Sequence, residues 1–384
     1  MGLVCPLGFV RVYTEEKGRH VKVLFFSHQG DFIYGGEVST FAFMKELKSA
    51  GVEVHFASPE GVVAEWAAKL ADKVHIVPAV QFSRSFRRLP HLLPAMRDTR
   101  SALAKVVKRE KIDLVHAMSL KAMAYAALLR KVPVLWHHHD ILPSGLRNRA
   151  WLHLFAARTR RILVPSEASR QALLSAGIGE GKIGVLFNGL DGNLWRPRPP
   201  RSQGGPLTVG FVGELSERKG VDQLPALLEA LEKAEVSTRW KIVGGALSDP
   251  ALADQLRAAL APQIASVQVE FLGRREDVRD ILQGFDVLWV PSRQEPFGIV
   301  LIEAAFSGVP VVANPVGGIP EIVVAGSTGF LVKNTAETVA ALKSLADASA
   351  WERFSRAARS RAERMFDMKP LGRKLVEVYE EILK

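Results

Sequence analysis

Leu207-Thr-Val-Gly-Phe-Val-Gly-Glu-Leu-Ser-Glu-Arg-Lys-Gly220 is the stretch that decides the fold. Its first six residues form an apolar, β-branched run that stops on Gly213, which marks a short buried strand. A polar loop follows, and a helix begins near Val221. Strand, loop and helix in that order make the repeating unit of a parallel sheet covered by helices. The unit recurs on both sides. Val21–Phe26, Val52–Ala57, Val74–Pro78, Ile112–Ala117, Val132–Trp136, Ile162–Pro165 and Ile183–Phe187 read as strands before it. Trp240–Val243, Val267–Leu272, Val287–Val290 and Pro310–Ala313 continue the series after it.

The two series are separated by Arg196-Pro-Arg-Pro-Pro-Arg-Ser-Gln-Gly-Gly-Pro206, whose prolines and glycines exclude regular structure. The expected layout is therefore an N-terminal extension at 1–20, disordered as read here, and a first domain at 21–195. A linker at 196–206, a second domain at 207–368 and a C-terminal helix at 369–384 packing back on the body complete it. Leu371, Leu375, Val378, Tyr379 and Ile382 give that last segment its amphipathic spacing. Both domains are expected to be doubly wound, Rossmann-like parallel sheets, with ligands bound in a cleft between their carboxyl ends.

Composition narrows the function. The 384 residues are 48% hydrophobic and 24% charged, as in a globular protein, and no apolar run is long enough to span a membrane. The N-terminal apolar residues are interrupted by Pro6, which makes a poor signal peptide. Pro6 also stands where a myristoylation motif starting at Gly2 would need Ser or Thr. A single cysteine, Cys5, excludes an internal disulfide. The net charge of +11 is carried by residues 1–199, while the remainder is slightly acidic. Such a field suits an anionic partner or serves general solubility.

Several motifs carry chemistry. Backbone amides before the Val221 helix, with Arg218 and Lys219 adjacent, suit a pyrophosphate. No G-x-x-x-x-G-K-[ST] and no G-x-G-x-x-G after a strand is present, which weakens nucleotide-hydrolase and dinucleotide readings. Gly35-Gly36-Glu37 and Gly317-Gly318-Ile-Pro-Glu321 are glycine pairs that also follow strands. Glu295 and Glu303 bracket Glu-Pro-Phe-Gly-Ile-Val-Leu-Ile-Glu. Glu295 belongs to a loop, and Glu303 lies one and a half turns into an apolar helix, where an ionised carboxylate is costly without a polar partner. His137-His-His-Asp140 ends a strand, so alternation sends His137 and His139 to one face. A metal set, an imidazole bonded to substrate, and uninvolved histidines are the three readings of it. Gln81–Pro90 interleaves Phe82 and Phe86 with Arg84, Arg87 and Arg88, as an anionic membrane contact, a surface helix over core, or a stacking platform for single strands would.

Taken in order, G-E-L-S-E-R-K-G (213–220), F-L-G (271–273), P-S-R-Q-E-P-F-G-I-V-L-I-E-A (291–304), G-V-P-V-V-A (308–313), G-G-I-P-E-I-V (317–323) and T-G-F-L-V (328–332) resemble the retaining glycosyltransferases of family 4, the GT-B glycosyl transferases group 1. Y-G-G-E, H-H-D, V-P-S-E and N-G-L-D fall in matching order in the first half. The resemblance implies the GT-B fold and transfer of a hexose from a UDP or GDP sugar with retained configuration, without metal or other cofactor. It gives Glu303 the ribose diol and Glu295 the hexose hydroxyls, beside the backbone of Phe297 and Gly298. Lys219 meets the departing diphosphate, Gly213 lies in the phosphate loop, and Gly273 and Arg274 meet the base. From the first domain, Gly35 and Gly36 approach the donor, and His139 faces its sugar, with a register uncertain among the three histidines.

One departure stands out. The family usually has Arg after the first glycine of the phosphate loop, and here that residue is Glu214, which leaves Arg218 as the candidate second cation. The expected acceptor is a cell-envelope glycolipid or polysaccharide precursor, met from the cytoplasm at the inner membrane face, with no nucleic acid involved. A soluble GT-B enzyme of the sugar-nucleotide epimerase or disaccharide synthase type is the alternative. A non-enzymatic anion- or membrane-binding module is the outsider.

Overall fold

The structure, a computed structural model, describes residues 13–14, 19–31, 33, 35–79, 89–142, 146–201, 204–246, 250–265 and 268–384. Phe82, Arg84, Phe86, Arg87 and Arg88, named above as a membrane contact, lie outside the described residues. The chain divides into two compact units, 1–189 with 368–384 and 190–367. Both are parallel sheets flanked by helices.

In the extension, β1 (Tyr13–Thr14) and β2 (Arg19–His20) pair as a short antiparallel ribbon. The sheet of the first unit is built from β3 (Lys22–Phe26), β4 (Glu53–Ser58), β5 (Lys73–Ile76), β6 (Leu114–Ala117), β7 (Val134–His137), β8 (Arg161–Val164) and β9 (Ile183–Val185). Its spatial order is β5-β4-β3-β6-β7-β8-β9, all pairs parallel. Alternate residues of one strand feed two cores: Leu24 and Phe26 join Val115, Trp136 and Ile162, while Val23 and Phe25 join Val54, Leu114 and Leu135. Burial on both faces is why these strands read as unbroken apolar runs.

The second unit contains β10 (Leu207–Val212), β11 (Thr238–Val243), β12 (Val269–Gly273), β13 (Val287–Val290), β14 (Val311–Ala313) and β15 (Gly329–Leu331). Their order is β12-β11-β10-β13-β14-β15, again parallel throughout. β15 is missing from the strands read by pattern, since Gly-Phe-Leu is too short to show a period. An aspartate pins the first strand of each sheet at its start. Asp113 accepts from the Lys22 amide at 3.0 Å, and Asp286 from the Thr208 amide at 2.7 Å.

The compact units divide at a different place from the expected linker. The division falls between Gly189 and Leu190, and residues expected as a linker are tied to the second unit. Arg198 lies 2.6 Å from the buried Asp286, and Arg201 donates to the Ala346 carbonyl at 2.9 Å. Prolines forbid helix and strand in this segment, but they do not forbid anchoring side chains. The helix Met368–Leu383 belongs to the first unit, where Leu371, Leu375, Val376 and Tyr379 are buried in its core. It packs against the helix Gly35–Ser49 so closely that a Cβ at Gly372 would stand 2.6 Å from Glu46 Cβ. Burying each of these large side chains stabilises the fold by about 1.5–3 kcal/mol.

Candidate active site

In the second unit the loops after β10, β13 and β14 interlock through glycines. Gly220 adopts φ +74°, and a Cβ there would meet the Pro291 carbonyl oxygen at 2.0 Å. Gly317, at φ +55°, stands against the Glu295 carbonyl oxygen, 1.8 Å from where its Cβ would be. No side chain fits either place, so glycine is required for contact as well as for conformation. The Glu295 carbonyl also accepts from the Gly318 amide at 3.0 Å. The Arg293 amide donates to the Arg218 carbonyl at 2.9 Å, and the Arg293 guanidinium grips both Asp222 oxygens at 2.7 Å.

This lacing brings Lys219 Nζ to 2.5 Å from Glu295 Oε2, with both side chains largely buried. Arg218 pairs with Glu214 at 3.5 Å. The glutamate that departs from the family pattern therefore engages the arginine offered to replace it. The four charges form two ion pairs.

Gly298, at φ +102°, caps the start of the helix Ile299–Phe306, which carries Glu303. The Glu303 side chain is half-buried, and no hydrogen bond or ion pair to it occurs among the described residues. Burial pushes its carboxyl up to about 7. A carboxyl perturbed by desolvation with no charge partner is poised for a ligand's hydroxyls. Gly213 follows β10 directly and Gly273 ends β12 at φ +66°, with Arg274 next and exposed. The Phe297 side chain is core, with its ring edge-on to Phe366 at 5.9 Å, so only its backbone remains for a ligand.

Pattern reading passed over two features here. Gly244 donates from its amide to the Gly273 carbonyl at 2.8 Å, and a Cβ on it would lie 1.8 Å from the Gly213 oxygen. It locks the ends of β10, β11 and β12 together, and the Gly244-Gly245 pair after a strand was its signal. Arg293 stood inside a quoted motif, but its partner Asp222 lies 71 residues earlier. No local spacing reveals that clasp.

In the first unit Gly35 and Gly36 are not a loop but the opening of the helix Gly35–Ser49. Glu37 in the first turn complements the helix dipole, and Gly36 has no positive φ. Gly36 instead makes room: a Cβ there would lie 3.4 Å from His139 Cγ. His137 and His139 pack with centroids 4.0 Å apart and planes tilted by 38°, while His138 lies against Trp136 at 4.9 Å. Neither ring nitrogen of His139 has a partner among the described residues. Burial lowers its pKa to about 4, against the opposing charge of Asp140. His28 is likewise lowered to about 4, first by burial and then by Lys121. At neutral pH this end of the sheet presents uncharged imidazoles. Among the described residues no three His, Cys, Asp or Glu side chains are grouped to hold a metal, and no helix is long and apolar enough to cross a membrane.

Comparison with known proteins matches residues 33–193 to the model "Glycosyltransferase Family 4" and residues 206–348 to "Glycosyl transferases group 1". The chain is 33% identical over 208 residues to glycogen synthase of Mycobacterium tuberculosis, across 53% of this chain and 49% of that one. It is 28% identical over 297 residues to α-maltose-1-phosphate synthase of the same organism, across 67% and 75%. The match thus spans about half the length of the first relative. Among solved structures, Anabaena Alr3699/HepE in complex with UDP and glucose aligns with a TM-score of 0.79 at 25% identity, covering 94% of this chain and all of that one.

Proposed function

Because this chain belongs to the family 4 glycosyltransferases of GT-B fold, we propose that it moves a hexose from a uridine diphosphate sugar to an acceptor hydroxyl with retention, using no metal. The observation that carries this reading is the pairing of Lys219 with Glu295 between interlocked loops, with the unpartnered Glu303 on the helix those loops begin. Uridine is favoured as the base by the likeness to a protein that was solved with UDP and glucose.

Cleaving a glycosyl phosphate develops negative charge on the departing diphosphate, and fixed cations aimed at it lower the barrier. Lys219 supplies that charge. As it turns to the phosphates it frees Glu295 to accept hydrogen bonds from hexose hydroxyls, so Glu295 positions the sugar and is not a nucleophile. Glu303, ionised, accepts from the two ribose hydroxyls, and their donation repays its desolvation. Arg218 is held by Glu214 and steadies the loop until the diphosphate competes for it. The Gly213 and Gly273 ends, with Arg274, border the nucleotide, while in the first unit Gly36 leaves room for the neutral His139, whose imidazole suits a sugar hydroxyl.

The acceptor is a cell-envelope glycolipid or polysaccharide precursor reached at an anionic surface, a reading supported by the positive charge of residues 1–199. A second reading, transfer to a soluble glucan or sugar phosphate, is favoured by the likeness to glycogen synthase and α-maltose-1-phosphate synthase. Release of UDP from UDP-sugars tests the activity. It should be lost in folded Glu303→Ala and Lys219→Ala proteins, and a wild-type protein that binds no sugar nucleotide at millimolar concentration would refute the reading. Salt-dependent sedimentation with anionic vesicles separates the two acceptors.

A further inference from the structure

Three buried groups of the first unit form a hydrogen-bonded line that the transfer reaction does not account for. Tyr379, on the C-terminal helix, places its hydroxyl 2.6 Å from His116 Nδ1. His116 Nε2 lies 3.2 Å from His137 Nδ1. All three side chains are essentially inaccessible, at 0%, 0% and 1% exposure. Burial holds both imidazoles well below their ordinary pKa and the phenol well above its own, so all three are neutral.

Neutrality gives each ring one N–H and one acceptor nitrogen, so the line can run in a single sense from end to end. The Tyr379 hydroxyl has His116 as its one partner among the described residues. With the hydroxyl donating, the line's one unpaired hydrogen falls at the His137 end and not on Tyr379. His116 then carries its hydrogen on Nε2 and donates to His137 Nδ1. His137 in turn carries its hydrogen on Nε2, which is buried and has no acceptor among the described residues. That ring lies tilted against His139, 4.0 Å away, and His139 packs on Gly36. Phe25 stacks on His116 at 4.5 Å and keeps its ring from turning.

We propose that Tyr379 and His116 are positioning residues that fix one tautomer of His137, so that His137 Nε2–H and His139 together form a hydrogen-bonding pair for a sugar hydroxyl. The inference deepens the proposed function and rests on it for the identity of the ligand. It gives the C-terminal helix a task beyond packing: it supplies the proton that starts the line.

The test separates the line from the ligand. Long-range nitrogen–proton spectra of protein labelled with ¹⁵N-histidine report tautomers with no substrate present. The wild type is expected to show His116 and His137 protonated on Nε2, and Tyr379→Phe to shift His116 toward Nδ1. An Nδ1–H form of His116 in the wild type overturns the proposal. With UDP-sugar, Tyr379→Phe and His116→Leu are expected to lower kcat about tenfold while UDP affinity is unchanged. His116→Gln, whose amide can accept from Tyr379 and donate to His137, restores most of kcat. Equal kcat in folded Tyr379→Phe and wild type overturns the proposal, because a merely structural role changes melting temperature alone. Correct tautomers in a protein that turns over no sugar nucleotide leave the line standing and refute the transferase reading instead.

Discussion

The carboxyl edges of the two sheets solve the problem of holding polar groups in opposite ways. In the second unit the candidate site's side chains are charged, sit on loops, and are held by partners close at hand: Lys219 by Glu295, Arg218 by Glu214, Arg293 by Asp222. In the first unit they are neutral imidazoles at a strand end, stripped of charge by burial and oriented by a line that reaches a helix 263 residues from His116. The charged edge suits compensation of a leaving diphosphate, which needs full charge. The neutral edge suits recognition of hydroxyls, which needs direction more than charge.

If charge is what matters in the second unit, Lys219→Ala should produce the largest effect, a fall in kcat of about 10²–10³-fold with the fold intact, measured by UDP release. Glu303→Gln should come next and should separate function from stability. It keeps the shape but not the charge, so UDP-sugar affinity should drop about tenfold. Its effect on stability has the opposite sign. Because the folded-state carboxyl titrates near 7 and not at the ordinary 4.5, the native chain holds the proton more tightly than the unfolded chain. That contribution is complete below the unfolded value and is lost as pH rises through about 7. Glu303→Gln should therefore gain about 3 kcal/mol over wild type at pH 8, and nearly all of that gain should be gone by pH 4.5, as denaturant titration at the two pH values would read. Failure to gain at pH 8 would mean that Glu303 has a polar partner after all. The smallest effect belongs to Arg293→Ala, which loosens the phosphate loop without touching a ligand. A loss of about threefold to tenfold in kcat/KM is expected, and little change in melting temperature, since exposed ion pairs contribute little.

The same contrast explains what could be read from the sequence. Both parallel sheets were legible because strands buried on two faces show as unbroken apolar runs, and β15 was not because three residues have no period. Glu295, Glu303 and Lys219 were visible because loops that must approach one another need glycines, and glycines at strand ends are conspicuous. The compact units divide before the proline-rich segment read as a linker, because such a composition reports missing regular structure but not whether Arg198 and Arg201 have acceptors. Tyr379 and His116 were hidden for a different reason. One reads as an amphipathic-helix position and the other as part of a strand, and only the return of the C-terminal helix to the first unit brings them together.

The central claim is that the second unit holds a nucleotide sugar through an ionised Glu303. Calorimetric titration of UDP-glucose, a diphosphate diester with no group titrating near neutrality, tests it across pH 6 to 8. In the wild type the dissociation constant should tighten about tenfold over that range as Glu303 ionises, and in Glu303→Gln it should stay flat. A wild-type affinity that does not change with pH, or that weakens as pH rises, would contradict the account.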